Sequence, residues 1–150
     1  MTETVIKETL KHIAKVQEFI LKCVIKIGLA SANHDKSKLE EPELATFVKY
    51  TGKLKNTTYG SEEYKEYLKQ MKPALDHHYA NNRHHPEHFE NGINGMNLLD
   101  VLEMLCDWYA ATKRHDNGDI IKSLEINQKR FGVSDQLTEI FKNTVKMLEE

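Results

Sequence analysis

Glycine and proline are scarce. The 150 residues hold 7 Gly and 3 Pro, well under the roughly 12% combined share of average chains. Few tight turns can be built from that supply, which argues against a β-sandwich, a barrel or a disordered chain. Cysteine is scarcer still. Cys23 and Cys106 both fall within helical apolar patterns and read as reduced core thiols of a cytoplasmic protein. No apolar run approaches the ~20 residues of a membrane span, and Met1-Thr2-Glu3-Thr4 does not open like a secretory leader. Nor does either charge dominate: 21 Lys and Arg face 23 Asp and Glu, a net charge of −2. That balance supplies no broad attraction for nucleic acid or an anionic membrane. The length suits a single domain over 1–150, large enough for a real core.

What is present is helical periodicity. Ile6, Leu10, Ile13, Ile20, Val24 and Ile27 recur at spacings of three, four and seven, beside a second stripe of Val5, Val16, Phe19 and Cys23. This predicts an amphipathic helix over 3–28 with a wide buried face, ending near Gly28. Pro42 among Glu40, Glu41 and Glu43 marks another helix start, with Pro in the first turn and acids at the positive dipole end. That helix is expected to reach Tyr50 or Leu54. Asn56 to Gly60 reads as a loop, and Ser61 as the cap of a helix to Ala80 that Pro73 should kink or split. Residues 81–97 form a long ordered loop. Leu98 to Arg114 is the most apolar helix, followed by a turn at Asp116-Asn117-Gly118 that also places His115. Asp119 and Ser134 cap two final helices, ending near Arg130 and Leu148. The fold class is all-α, a compact bundle of about six helices. Its core is expected in residues 3–115, with the helices of 119–150 packing on it. The last helix caps that core or packs on a partner, which leaves a homodimer open.

Histidine is in excess. Eight occur, and His77, His78, His84, His85 and His88 lie within twelve residues. A solvated face of this chain is built from Lys and Glu, as in Ser61 to Lys72, so a polar stretch of imidazoles stands apart. Imidazole is the commonest metal ligand and a frequent proton or phosphate partner at neutral pH. His12 falls in an apolar stripe and is expected to point inward. In the helix of 98–114, Asp100, Glu103 and Asp107 lie within about 60° of one another. On a helix otherwise apolar nearly all round, this stripe is either the one solvated edge or faces an internal polar site that holds a cation.

His34-Asp35 followed by Ser37 and Lys38 resembles the signature of the HD superfamily of metal-dependent phosphohydrolases. The longer pattern that adds Pro42-Glu43, His84-His85-Pro86-Glu87-His88-Phe89 and Glu103-Met104-Leu105-Cys106-Asp107-Trp108 is also similar to a group of small uncharacterised phage and bacterial proteins. Ser37 stands where Gly is common in that signature. The resemblance covers residues 8 to 115. It implies an all-helical fold and a metal held by His12, His34, Asp35 and Asp107. It also implies a small anionic, phosphorylated substrate such as a nucleotide.

Two nitrogens and two oxygens suit Mn²⁺, Fe²⁺, Co²⁺, Ni²⁺ or Zn²⁺, one ion with a second conceivable. Lys38, His77, His78, His84 and His85 are candidates for neutralising phosphate or protonating the leaving oxygen. Glu103 is a candidate for orienting a ligand or water, and Arg83 and His88 for gripping substrate. The competing readings are an HD-fold di-iron oxygenase, in which extra histidines hold a second iron, and a non-catalytic helical binding protein. An HNH-type nuclease is disfavoured, because no strands are predicted near His84-His85.

Overall fold

The computed structural model describes residues 2–58, 61–114 and 118–150. The expected Asp116-Asn117 turn, His115 and the end of the 56–60 loop lie outside them. The described residues contain six α-helices and no strand: α1 (Thr2–Asn33), α2 (Glu43–Lys55), α3 (Glu62–Asn81), α4 (Leu98–Thr112), α5 (Ile120–Phe131) and α6 (Asp135–Glu149). None is long and apolar enough to cross a membrane. They fall into two compact units, residues 1–34 and residues 35–150.

The first unit is α1. It runs past Gly28 to Asn33, beyond the predicted stop. A glycine inside a helix costs only about 1 kcal/mol relative to alanine, and Leu29, Ala30 and Ala32 resume the helix after it. Asn33 ends it by donating its side-chain amide to the Leu29 carbonyl at 2.9 Å. On the polar face Glu18 accepts from both Lys15 and Lys22 at 2.6 Å. None of its residues is buried; a single helix has no second layer to cover its apolar stripe.

In the second unit, a 3₁₀ turn (Lys36–Leu39) leads into α2, which packs against α3. Ser61 caps α3 by accepting from the Tyr64 N–H at 3.1 Å. Pro73 is carried inside one continuous helix rather than splitting it. The loop after α3 contains two short 3₁₀ turns, Pro86–His88 and Gly92–Gly95. Asn97 and Asp100 then form a reciprocal capping box at the start of α4. Asp119 and Ser134 cap α5 and α6 as the sequence predicts. Between them Gly132 takes a left-handed conformation with φ of 66°, and the Val133 N–H returns to the Gln128 carbonyl at 3.1 Å. Only glycine adopts that turn without steric cost.

The apolar core lies further along the chain than the sequence suggests. Met104, Leu105, Ile120, Leu124, Val133, Phe141 and Val145 form one buried cluster, so α5 and α6 build the core with α4 rather than covering one made earlier. Trp108 stacks on Phe131, with ring centroids 5.9 Å apart, and meets Phe141 edge-on at 6.2 Å. Truncating Phe141 to Ala should cost about 3–5 kcal/mol in urea unfolding. Val48→Ala, at an exposed position of α2, should stay within about 0.5 kcal/mol of wild type.

Candidate metal centre

Asp35 opens the 3₁₀ turn with φ of 57°, alone among the described non-glycine residues in having a positive φ. Aspartate tolerates this left-handed region better than most residues, and such conformations concentrate at functional sites. Lys38 folds back to donate to Asp35 Oδ2 at 2.6 Å. The other oxygen, Oδ1, is buried and lies 3.3 Å from His78 Nε2 and 3.5 Å from His84 Nε2. His78 stands in the last turn of α3, while His84 and His85 stand on the loop that follows. His85 Nε2 is 2.9 Å from His78 Nε2. One atom each from Asp35, His78, His84 and His85 thus falls within 4.8 Å of the others.

These separations can be tested against a cation. Bonds of about 2.0–2.1 Å to a divalent transition ion place neighbouring ligand atoms about 2.9 Å apart in an octahedron and about 3.4 Å apart in a tetrahedron. The observed 2.9, 3.3 and 3.5 Å span that range. Three nitrogens and a carboxylate oxygen are also a donor set that such ions accept.

The far sides of the rings explain their orientation. Glu43, fully buried at the start of α2, places Oε2 2.9 Å from His78 Nδ1 and Oε1 2.7 Å from His77 Nδ1. Burial alone would raise the Glu43 carboxyl's pKa. Hydrogen bonds from His77, Ser37 and His78 outweigh it and hold the group below the ordinary carboxylate range. An ionised Glu43 therefore accepts a hydrogen bond from His78 Nδ1–H, which leaves the Nε2 lone pair facing Asp35. Ser37 donates to Glu43 Oε2 at 3.1 Å, and Asn82 donates to Ser37 Oγ at 2.8 Å. A glycine at position 37 would leave the carboxylate without that support. His84, 1% exposed, is held in the same way by Glu103, at 3.1 Å from Nδ1. A carboxylate behind an imidazole is the usual arrangement for metal-ligating histidine.

The acid stripe of α4 is an internal polar face, not a solvated edge. Asp100 is buried and accepts both prongs of Arg83 at 3.0 and 2.8 Å. Glu103 holds His84. Half-buried Asp107 brings a carboxylate oxygen within 4.8 Å of one of Asp35.

Not every predicted residue meets this centre. The Arg83 guanidinium, read as a substrate clamp, is committed to Asp100 and lies over the Phe89 ring at 4.9 Å. His88, also read as a substrate contact, has Nδ1 2.8 Å from the Tyr79 carbonyl and holds the loop. His77 faces Glu43 rather than the ligand atoms. His12 is exposed on α1 instead of inward, and it is in none of the ligand-atom groups among the described residues. His34 is half-buried at the end of the first unit, peptide-bonded to Asp35. The sequence reading missed Glu43. Its signal was position: Glu43, Phe47, Tyr50 and Leu54 share one face of α2 at spacings of four, three and four, so an acid sits on an apolar stripe.

Over residues 1–150 the chain matches the model of a family of unknown function, DUF5662. The chain belongs to DUF5662. No curated protein and no solved structure matches it. The protonation of the clustered imidazoles in this DUF5662 chain favours ligation. Burial, then crowding by His84 and His78, pushes His85 down to about 3. Burial and the nearby Lys38 charge also lower His78. Neutral imidazoles are the form that binds metal.

The same shift links stability to pH. His85 titrates near 3 when folded but at about 6.5 when unfolded. Between those values the unfolded chain binds more protons, so stability is complete above the unfolded value and declines as pH falls. The melting temperature of EDTA-treated protein should drop between about pH 7 and about pH 5, and His85→Gln should flatten that slope. Circular dichroism melts at several pH values measure it.

Proposed function

We propose that this chain is a metal-dependent phosphohydrolase acting on a nucleotide or a related small phosphoester. One observation carries the reading: Asp35, His78, His84 and His85 converge on one point, and carboxylates fix His78 and His84 from behind. The resemblance of His34-Asp35-x-Ser37-Lys38 to the HD signature supports the same chemistry.

Asp35, His78, His84 and His85 would hold a divalent transition ion, with Asp107 beside Asp35 and His34 next to it in sequence. A single ion accounts for this donor set. Bound there, it supplies a Lewis acid for a phosphoryl oxygen and lowers the pKa of water. The protein does the rest. Glu43 and Glu103 keep the Nδ1 protons in place, so the ligand nitrogens do not turn. Lys38 holds a positive charge beside Asp35, where it offsets the charge of a phosphoryl group. In the reaction a bond from water oxygen to phosphorus forms as the ester P–O bond breaks. The water's proton ends on the departing oxygen, giving an alcohol and phosphate.

Metal analysis of purified protein tests this. About one equivalent of Mn, Fe, Co, Ni or Zn is expected in the wild type. Asp35→Asn, which keeps a residue suited to the left-handed turn, should reduce it to near zero with helical circular dichroism retained, as should His84→Gln. Glu43→Gln should weaken metal affinity by about 10–100-fold, and Arg83→Gln should leave it unchanged. Undiminished metal in both Asp35→Asn and His84→Gln would overturn the site. Bound metal without turnover across a panel of nucleoside mono-, di-, tri- and cyclic phosphates would instead favour a binding protein. Two irons and an oxygen-dependent product would favour an oxygenase.

A further inference from the structure

Asp35 has a second neighbourhood. On its Lys38 side opens a cleft of about 310 Å³, walled by Phe47 and Leu54 of α2, Met71 of α3, and Arg114 just past α4. That is the size of a small-molecule pocket, and its walls are of two kinds. Lys38 and Arg114 are cations, against the single acid Asp35. Phe47, Leu54 and Met71 are apolar, and Met71 is only 2% exposed. Phe47 belongs to both places, since its ring also meets the ligand His78 edge-on at 6.2 Å. Lys38 likewise lies over the Phe47 ring at 5.6 Å while reaching Asp35. A site for inorganic phosphate alone has no use for an apolar wall, and a site for a neutral hydrocarbon has no use for two cations.

We infer that this cleft seats the organic group of the substrate: the site takes a phosphomonoester with a flat apolar or aryl body lying against Phe47, Leu54 and Met71. Lys38 and Arg114 pair with its anionic oxygens. The phosphoryl end of this assignment rests on the phosphohydrolase reading; the apolar end rests on the cleft. Phe47 is then the residue that couples the fit of the organic group to the ligand His78.

Two non-hydrolysable probes separate the parts. Benzylphosphonate and methylphosphonate carry the same anionic head, and only the first carries a ring. Each is titrated into the full chain as purified, with the ¹³C-labelled methyl of Met71 followed by NMR and metal content measured on the same samples. Benzylphosphonate should bind about tenfold more tightly than methylphosphonate and should alone shift the Met71 methyl. Thr51→Trp, from an exposed position on the cleft wall, should reduce benzylphosphonate to the level of methylphosphonate. Arg114→Gln should weaken both probes by about tenfold without touching the apolar wall.

Equal affinities, an unmoved Met71 methyl or an indifferent Thr51→Trp would each overturn the apolar seat. An Arg114→Gln variant that binds both probes like wild type would overturn the anion pairing, and it can be read even if Thr51→Trp fails to fold. Discrimination between the probes in protein that holds no metal would sink the phosphohydrolase reading and leave the cleft standing. Metal without discrimination would do the reverse.

Discussion

The pairing of Glu43 with two imidazoles is the constraint on which the polar half of the molecule depends. A carboxylate sealed from water is stable only when its charge is met by hydrogen-bond donors, and Glu43 finds them in His77, His78 and Ser37. Those donors come from the end of α3 and from the turn before α2, so the acid binds three pieces of chain at once. Removing any donor leaves a buried charge short of a partner, a larger cost than the bond itself is worth. The arrangement thus fixes both the α2–α3 approach and the direction of the His78 ring.

α4 joins this polar half to the apolar one. Met104, Leu105 and Trp108 face α5 and α6, while Asp100, Glu103 and Asp107 face Arg83, His84 and Asp35 respectively. One rigid helix serves two environments because a 3.6-residue period separates its faces. The loop of 81–97 needs little regular structure for the same reason. Its histidines are positioned from outside, His84 by Glu103 and His88 by the Tyr79 carbonyl.

Much of this was legible in the residues. Caps at Ser61, Asp119 and Ser134 are local chemistry, and each starts the helix it predicts. The histidine excess marked residues 77–88 as unusual, whereas the acid stripe of α4 left open whether it met water or an internal polar site. The division of roles was not legible, because it depends on which side chains meet across 17 to 35 residues of chain. Arg83 looks like an anion clamp until Asp100 is seen in its fork. Glu43 looks like a dipole-compensating acid until its partners are seen behind it. His12, on an apolar stripe of α1, lies at an exposed position.

The second unit divides its apolar material unevenly. Among the described residues, the buried hydrophobics of α2 and α3 are Tyr50, Met71 and Ala74, whereas α4 to α6 and their connections hold the cluster around Leu124 and Phe141. An ion shared by Asp35 and His85 would clip together the two ends of the α2–α3 hairpin, closing a loop of about fifty residues. An ion bound only by the folded arrangement would add its binding free energy to the hairpin, where hydrophobic burial is thin. Such an ion would do for the first half of this unit what Phe141 does for the second. Loss of such an ion would then loosen this hairpin.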